Sequence, residues 1–308
     1  MYKTPLYIKR GKVMNISSIN NIQNNNSTDI SKSEKKKNKG TFKAIAAGSA
    51  ASAALMPINS LALTGMQKIP KTLSKEQIQM INDAADKIIE TSGLAAKGVK
   101  IDNVSGVINF SMFPDSVYAQ IDPYFAISEG KNAGFLTKNA KNKLTGEIVH
   151  NKNTILVNKE KLPNAVFHEI GHAFNKNSSK IWKVVQKMRI PAIMIAAGLM
   201  LFSAFTKKAE NEDGQELTKA QKTKNFVRKH SGILAFTAML PVVGEEIMAS
   251  VRGCKWANAN LPKELAKKIK TTNVFGGITY ILAAAGIGLA AHFATKVKDS
   301  AVDKANEK

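Results

Sequence analysis

Apolar and charged residues are segregated along this chain. Residues 190–206 (IPAIMIAAGLMLFSAFT) and 271–295 (TTNVFGGITYILAAAGIGLAAHFAT) carry no Asp, Glu, Lys or Arg over 17 and 25 positions. A helix needs about 20 residues to cross a bilayer, and both runs are predicted to span. The second also holds Gly276, Gly277, Gly286 and Gly288, small residues that let helices approach closely in lipid. A third run, 231–244 (SGILAFTAMLPVVG), is 14 long. It reaches spanning length only if Glu245 and Glu246 are counted inside it, through Val251. Acids at membrane depth are costly and by default point to function. Residues 190–206 and 231–251 are therefore predicted to form a membrane hairpin, with 271–295 a further span. Residues 44–67 are uncharged but rich in Ala and Ser. Two readings stand for them, a signal-anchor or weak transmembrane segment and a buried Ala-rich helix.

The intervening block, 68–189, mixes charged and apolar residues. Ile78, Ile81, Ala84, Ala85, Ile88 and Ile89 fall on one face of a helix over 74–97. Ser74 followed by Gln77 predicts its N-cap, and Gly93 its stop. From Val99 to Ile127 the apolar residues are β-branched or aromatic and are punctuated by turn dipeptides such as Asp122-Pro123, a pattern of short strands. Residues 146–150 (GEIVH) and 153–158 (NTILVN) are predicted to pair as a hairpin around His150-Asn151-Lys152. The fold class is α+β: helices plus a short, mostly antiparallel sheet, joined to a helical membrane part of two to four hydrophobic segments.

Composition sharpens this picture. The 308 residues include a single Cys, Cys254, which excludes an intramolecular disulfide scaffold and a Cys-rich zinc finger. The formal charge is +22. Residues 1–43 hold ten Lys or Arg against Asp29 and Glu34 and are predicted to be a disordered basic tail. Residues 296–308 are predicted to be a polar tail. A basic tail suits nucleic acid or an anionic membrane surface. With aromatics at 6% there is little to stack nucleobases, so the bilayer is the expected partner and nucleic acid is not. The loops 207–230 and 252–270 carry seven and six Lys or Arg, so the positive-inside rule does not choose a side.

The chemistry lies in residues 162–175 (LPNAVFHEIGHAFN), which contain His168-Glu169-Ile170-Gly171-His172. On a helix, His168 and His172 share one face and can reach one metal, with Glu169 beside them to take a proton from water. Leu162, Val166, Phe167, Ile170, Ala173 and Phe174 supply an apolar side. Catalytic zinc takes three protein ligands, and the glutamates of 245–253 (EEIMASVRG) are the candidates for the third, Glu245 and Glu246 both remaining open. A membrane hairpin returns its second arm to the face where its first began, which brings these glutamates back to the histidines. Arg252 is a candidate for an oxyanion or a lipid phosphate, its plainer reading being a basic membrane flank. Cys254, His150, His230 and His292 are read as bystanders.

Glu246 to Gly253 reads E-x-x-A-x-x-x-G, downstream of H-E-x-x-H and beyond a hydrophobic hairpin. This arrangement resembles the gluzincin metallopeptidases, in particular the HtpX and CAAX-prenyl-protease family of membrane zinc proteases, over about residues 130–253. Asn132-Ala133-Gly134-Phe135 and Gly146-Glu147-Ile148 occupy places comparable to the family's upstream strand and hairpin. The resemblance implies a zincin-like catalytic unit with one zinc ion (Zn2+) on His168, His172 and Glu246, Glu169 as general base, and protein or peptide substrates. It implies a zinc metalloendopeptidase in the cell (plasma or inner) membrane. Ser250 stands where the family has an Asp that helps orient a ligating His; it can hydrogen-bond but carries no charge. The alternative is a catalytically silent homologue with a structural or adaptor role. A basic-tail nucleic-acid binder would leave the H-E-x-x-H pattern unexplained.

Overall fold

The computed structural model describes residues 32–105, 123–141, 147–211 and 215–306. Residues 1–31 of the tail expected over 1–43, residues 106–122 of the strands expected between 99 and 127, and the start of the family-like segment at Gly146 lie outside them. In chain order the elements are α1 (Lys32–Ala53), α2 (Met56–Lys68), α3 (Lys75–Thr91), β1 (Lys100–Asn103), α4 (Pro123–Ser128), β2 (Gly134–Phe135), β3 (Ala140–Lys141), β4 (Ile148–His150) and β5 (Thr154–Val157). They continue with α5 (Val166–Ser178), α6 (Lys180–Lys187), α7 (Arg189–Phe205), α8 (Lys219–Lys229), α9 (Ser231–Ala238), α10 (Leu240–Asn260) and α11 (Lys263–Asn306).

α3 starts where its sequence says it should. The Ser74 hydroxyl accepts from the Gln77 N–H, and the Gln77 side chain accepts from the Ser74 N–H, closing a capping box. The helix ends at Thr91, and Gly93 takes a φ of +79°. Its buried Ile81, Ala84, Ala85, Ile88 and Ile89 pack against β5 and α5 residues in one core.

The sheet is built around β5, whose four residues are all buried. β5 pairs in parallel with β1 and antiparallel with β2, and β3 pairs antiparallel with β4. Two of the three ladders are therefore antiparallel. The hairpin expected between 146–150 and 153–158 does not form: β4 pairs with β3, and β5 with β1 and β2. Ile155, Leu156 and Val157 are apolar on both faces and take the central place, whereas Ile148 and Val149 are exposed. Asn153, at a φ of 66°, turns the chain between them and donates its N–H to Leu136 O at 2.7 Å. Tyr124, Phe125 and Ile127 are likewise not in a strand but in the short helix α4. Pro123, read as part of a turn, opens that helix instead.

Among the described residues, four helical stretches are long and apolar enough to cross a membrane: Gly40–Thr72, Lys180–Phe205, Ser231–Asn260 and Lys263–Ala301. That is the make-up of an integral membrane protein. The weakly apolar stretch 44–67 forms α1 and α2, packed along α11. A Cβ on Gly48 would lie 2.7 Å from Ala290 O, and one on Gly286 would lie 2.9 Å from Ser52 Oγ. The small residues that lower the hydropathy are those that let the helices close up. α1 already begins at Lys32, inside the stretch expected to be tail. The predicted span 231–251 is broken at Met239, ahead of Pro241, and its second part runs on to Asn260. α11 holds 44 residues, a length of about 66 Å. It includes the predicted span 271–295 and stays helical to Asn306, through most of the expected polar tail. Its first turns place Leu265, Ala266 and Ile269 in the core of the sheet unit.

The crossing of α5 and α10 is the tightest of these helix contacts. A Cβ on Gly171 of α5 would lie 2.0 Å from Ala249 O of α10, and one on Gly253 would lie 2.3 Å from Phe167 O. The helices meet main chain to main chain. Gly171→Ala and Gly253→Ala are expected to cost about 1–3 kcal/mol or more each. Gly198→Ala, with nothing within 4 Å of the added methyl, should stay within about 1 kcal/mol of the parent. Thermal unfolding of the detergent-solubilised chain checks all three.

Candidate metal centre

The buried strand β5 leads into a single 3-10 turn, Pro163–Ala165, and then α5. Val166, Phe167, Ile170 and Ala173 are fully buried in the core. That leaves His168, Glu169 and His172 on the side of α5 that faces a cavity of about 730 Å³. The opposite walls come from the membrane helices and include Leu63 and Met66 of α2, Arg189, and Asn273 and Tyr280 of α11.

Three donor atoms converge there. His168 Nε2 lies 3.0 Å from His172 Nε2 and 3.0 Å from Glu246 Oε2, and His172 Nε2 lies 3.4 Å from the same oxygen. Tetrahedral zinc with bonds near 2.0–2.1 Å separates its ligand atoms by about 3.3 Å. The donor set, two imidazoles and a carboxylate, also suits zinc. These residues fit the metal that the motif implies.

Both far nitrogens of the imidazoles are held. Ser250 Oγ lies 3.1 Å from His168 Nδ1, and Glu245 Oε1 lies 2.8 Å from His172 Nδ1. Such contacts fix each ring so that its Nε2 points to where the donor atoms converge. Glu245 also accepts from Asn175 Nδ2 at 3.0 Å, Gln186 Nε2 at 3.3 Å and Arg189 Nη1 at 2.9 Å. A donor atom of Glu245 also falls within 4.8 Å of atoms from His172 and Glu246. Its carboxylate is nonetheless taken up by those partners, and of the pair it is Glu246 that brings one oxygen within 3.0–3.4 Å of both Nε2 atoms. Ser250, one turn beyond Glu246, holds His168 without supplying charge. Arg252 is six residues beyond Glu246, about 240° round the helix, and is not among the residues lining the cavity.

Glu169 is 6% exposed and lines the same cavity. Burial pushes its carboxyl above the usual range, and the neighbouring imidazoles of His172 and His168 offset only part of that. A raised carboxyl is suited to exchanging protons near neutral pH. For His172 burial favours the neutral ring, but hydrogen bonds to Glu245 and Glu246 together outweigh it and push the imidazole up to about 10.

The sequence did not single out Arg189 or Tyr280. Arg189 stands at the edge of the uncharged run 190–206 and reads there as an ordinary basic flank. Tyr280 lies inside the run 271–295; a polar ring in an otherwise apolar span is the signal that could have marked it. A scan against protein-family models finds no match, and neither do searches of curated proteins and of solved structures.

Chelator competition with Zn2+ is expected to show loss of high-affinity binding in Glu246→Gln. Glu245→Gln and Ser250→Ala should keep binding and lose about 10–100-fold in affinity. The pH dependence has a definite sign. Below about 10, His172 holds a proton that must leave before Nε2 can bind a metal. Affinity should therefore rise with pH across neutrality, by up to about tenfold per unit, and fall on acidification.

Proposed function

We propose that the protein is a zinc metalloendopeptidase of the cell membrane, its sheet unit a zincin-like catalytic unit. The observation that carries this reading is the convergence of His168 Nε2, His172 Nε2 and Glu246 Oε2 within 3.0–3.4 Å, beside the buried carboxyl of Glu169. Zinc bound to this trio supplies a Lewis acid for the scissile carbonyl and lowers the pKa of a water. Glu169 takes the proton that the attacking water releases and returns it to the leaving amine, so that one water is consumed per peptide bond broken. Tyr280 lines the facing wall with its hydroxyl against the Glu246 carboxylate. Substrate binds in extended form. β5 has neighbours on both sides, while among the described residues β2 is at the edge of its sheet and lines the cavity, which makes β2 the strand for edge pairing. The walls contributed by α2, α7 and α11 suit a protein or peptide substrate presented at the bilayer.

Casein cleavage by the detergent-purified chain tests this. Glu169→Gln is expected to keep its zinc and to lose about 10²–10⁴-fold in turnover. Wild type that binds zinc and cleaves neither casein nor unfolded membrane proteins would favour the silent-homologue reading. Wild type that binds no zinc would end the metalloenzyme reading.

A further inference from the structure

The convergent trio uses one oxygen of Glu246. The other, Oε1, lies 2.5 Å from Arg189 Nη2, an ion-pair contact off the direction of a hydrogen bond. Nη1 of the same guanidinium is 2.9 Å from Oε2 of Glu245. Glu245 uses its remaining oxygen on His172 Nδ1. A single cation thus engages, on both glutamates, the oxygen that faces away from the histidines. The two glutamate side chains are 0% and 1% exposed, so solvent does not compete for those oxygens. Arg189 is itself anchored in the chain as the first residue of α7, directly after α6.

We propose that Arg189 is a positioning residue that restricts Glu246 to one donor oxygen and thereby keeps a coordination position of the metal free for water. The inference rests on the metallopeptidase reading. A carboxylate can bind a metal through one oxygen or two. Two would fill the place that catalytic zinc sites leave open. Oε1 held against a guanidinium is withdrawn from the metal, and the guanidinium stays charged at any working pH. The planar fork reaches Glu245 and Glu246 with separate nitrogens. A lysine ammonium is a point charge and reproduces this only in part.

The test uses the full chain, stripped and reloaded with Co2+ in detergent. Its readouts are visible absorption, cobalt affinity by chelator competition, and peptide turnover. Wild type should show the intense bands of four-coordinate cobalt. Arg189→Gln should retain cobalt within about tenfold in affinity but show the weaker bands of a five-coordinate ion, with turnover down by about 10–100-fold. Arg189→Lys should lie between the two. An Arg189→Gln spectrum identical to wild type overturns the inference. So does loss of cobalt from both variants, which would make Arg189 a support for the fold. Wild type that takes up no cobalt overturns the metal-centre reading itself, a result distinct from an unchanged spectrum.

Discussion

Where α5 crosses α10, nothing but main chain separates the two helices. Gly171 lies against the Ala249 carbonyl and Gly253 against that of Phe167. Glu246 and Ser250 flank Ala249 on α10, and His168 and His172 flank Gly171 on α5. At a normal helix separation of 8–10 Å, short side chains such as Ser250 could not reach across. The close crossing explains how a serine can hold an imidazole, and why donor atoms from two helices sit 3.0–3.4 Å from one another. The small residues on α1 and α11 repeat the device elsewhere in the bundle, between Gly48 and Ala290.

The crossing also buries an unusual amount of charge. Glu245, Glu246, Glu169 and His172 are all buried. Isolated, each ionised group would cost several kcal/mol. Glu245, Glu246 and His172 are tolerated because each is paired, whereas burial pushes the Glu169 carboxyl towards its neutral form. Glu245 alone receives His172, Asn175, Gln186 and Arg189. A network this closed has an orientation as well as a stability. Removing one partner leaves an uncompensated charge in a dry site, which costs more than the interaction itself. The same closure exposes a limit of sequence spacing: it could not tell Glu245 from Glu246, because their difference lies in which partners surround them.

What the sequence made legible was local. His168 and His172 are four apart, so the helix alone puts them on one face. Ser74 and Gln77 are three apart, and their reciprocal bonds close within one turn. The strand character of 154–157 followed from its β-branched run. Partnership between distant segments was less accessible. Residues 148–150 and 154–157 are adjacent in sequence and each strand-like, yet the second pairs with strands from elsewhere, since a strand apolar on both faces belongs inside a sheet covered on both sides. Arg189 reads as a membrane flank until α10 is placed beside it. The low hydropathy of 44–67 pointed equally to a membrane segment and to core, and small residues made for close packing are the reason for that ambiguity.

The cavity's walls differ in how firmly they are held. α5 and α10 share a main-chain contact. α11 is an unbroken rod whose start belongs to the sheet core and whose middle packs in the bundle. Moving any of them means pulling apart tightly packed core. α2 contributes Leu63 and Met66 to the same cavity but has a single buried residue, Ala62. It rests on α11 by its edge, with Gly65 against Phe275, and the rest of its surface is turned outward. Of these four helices, α2 is therefore held by the fewest buried residues. A way into the cavity past α2 would disturb less of that packing than a way past α5, α10 or α11.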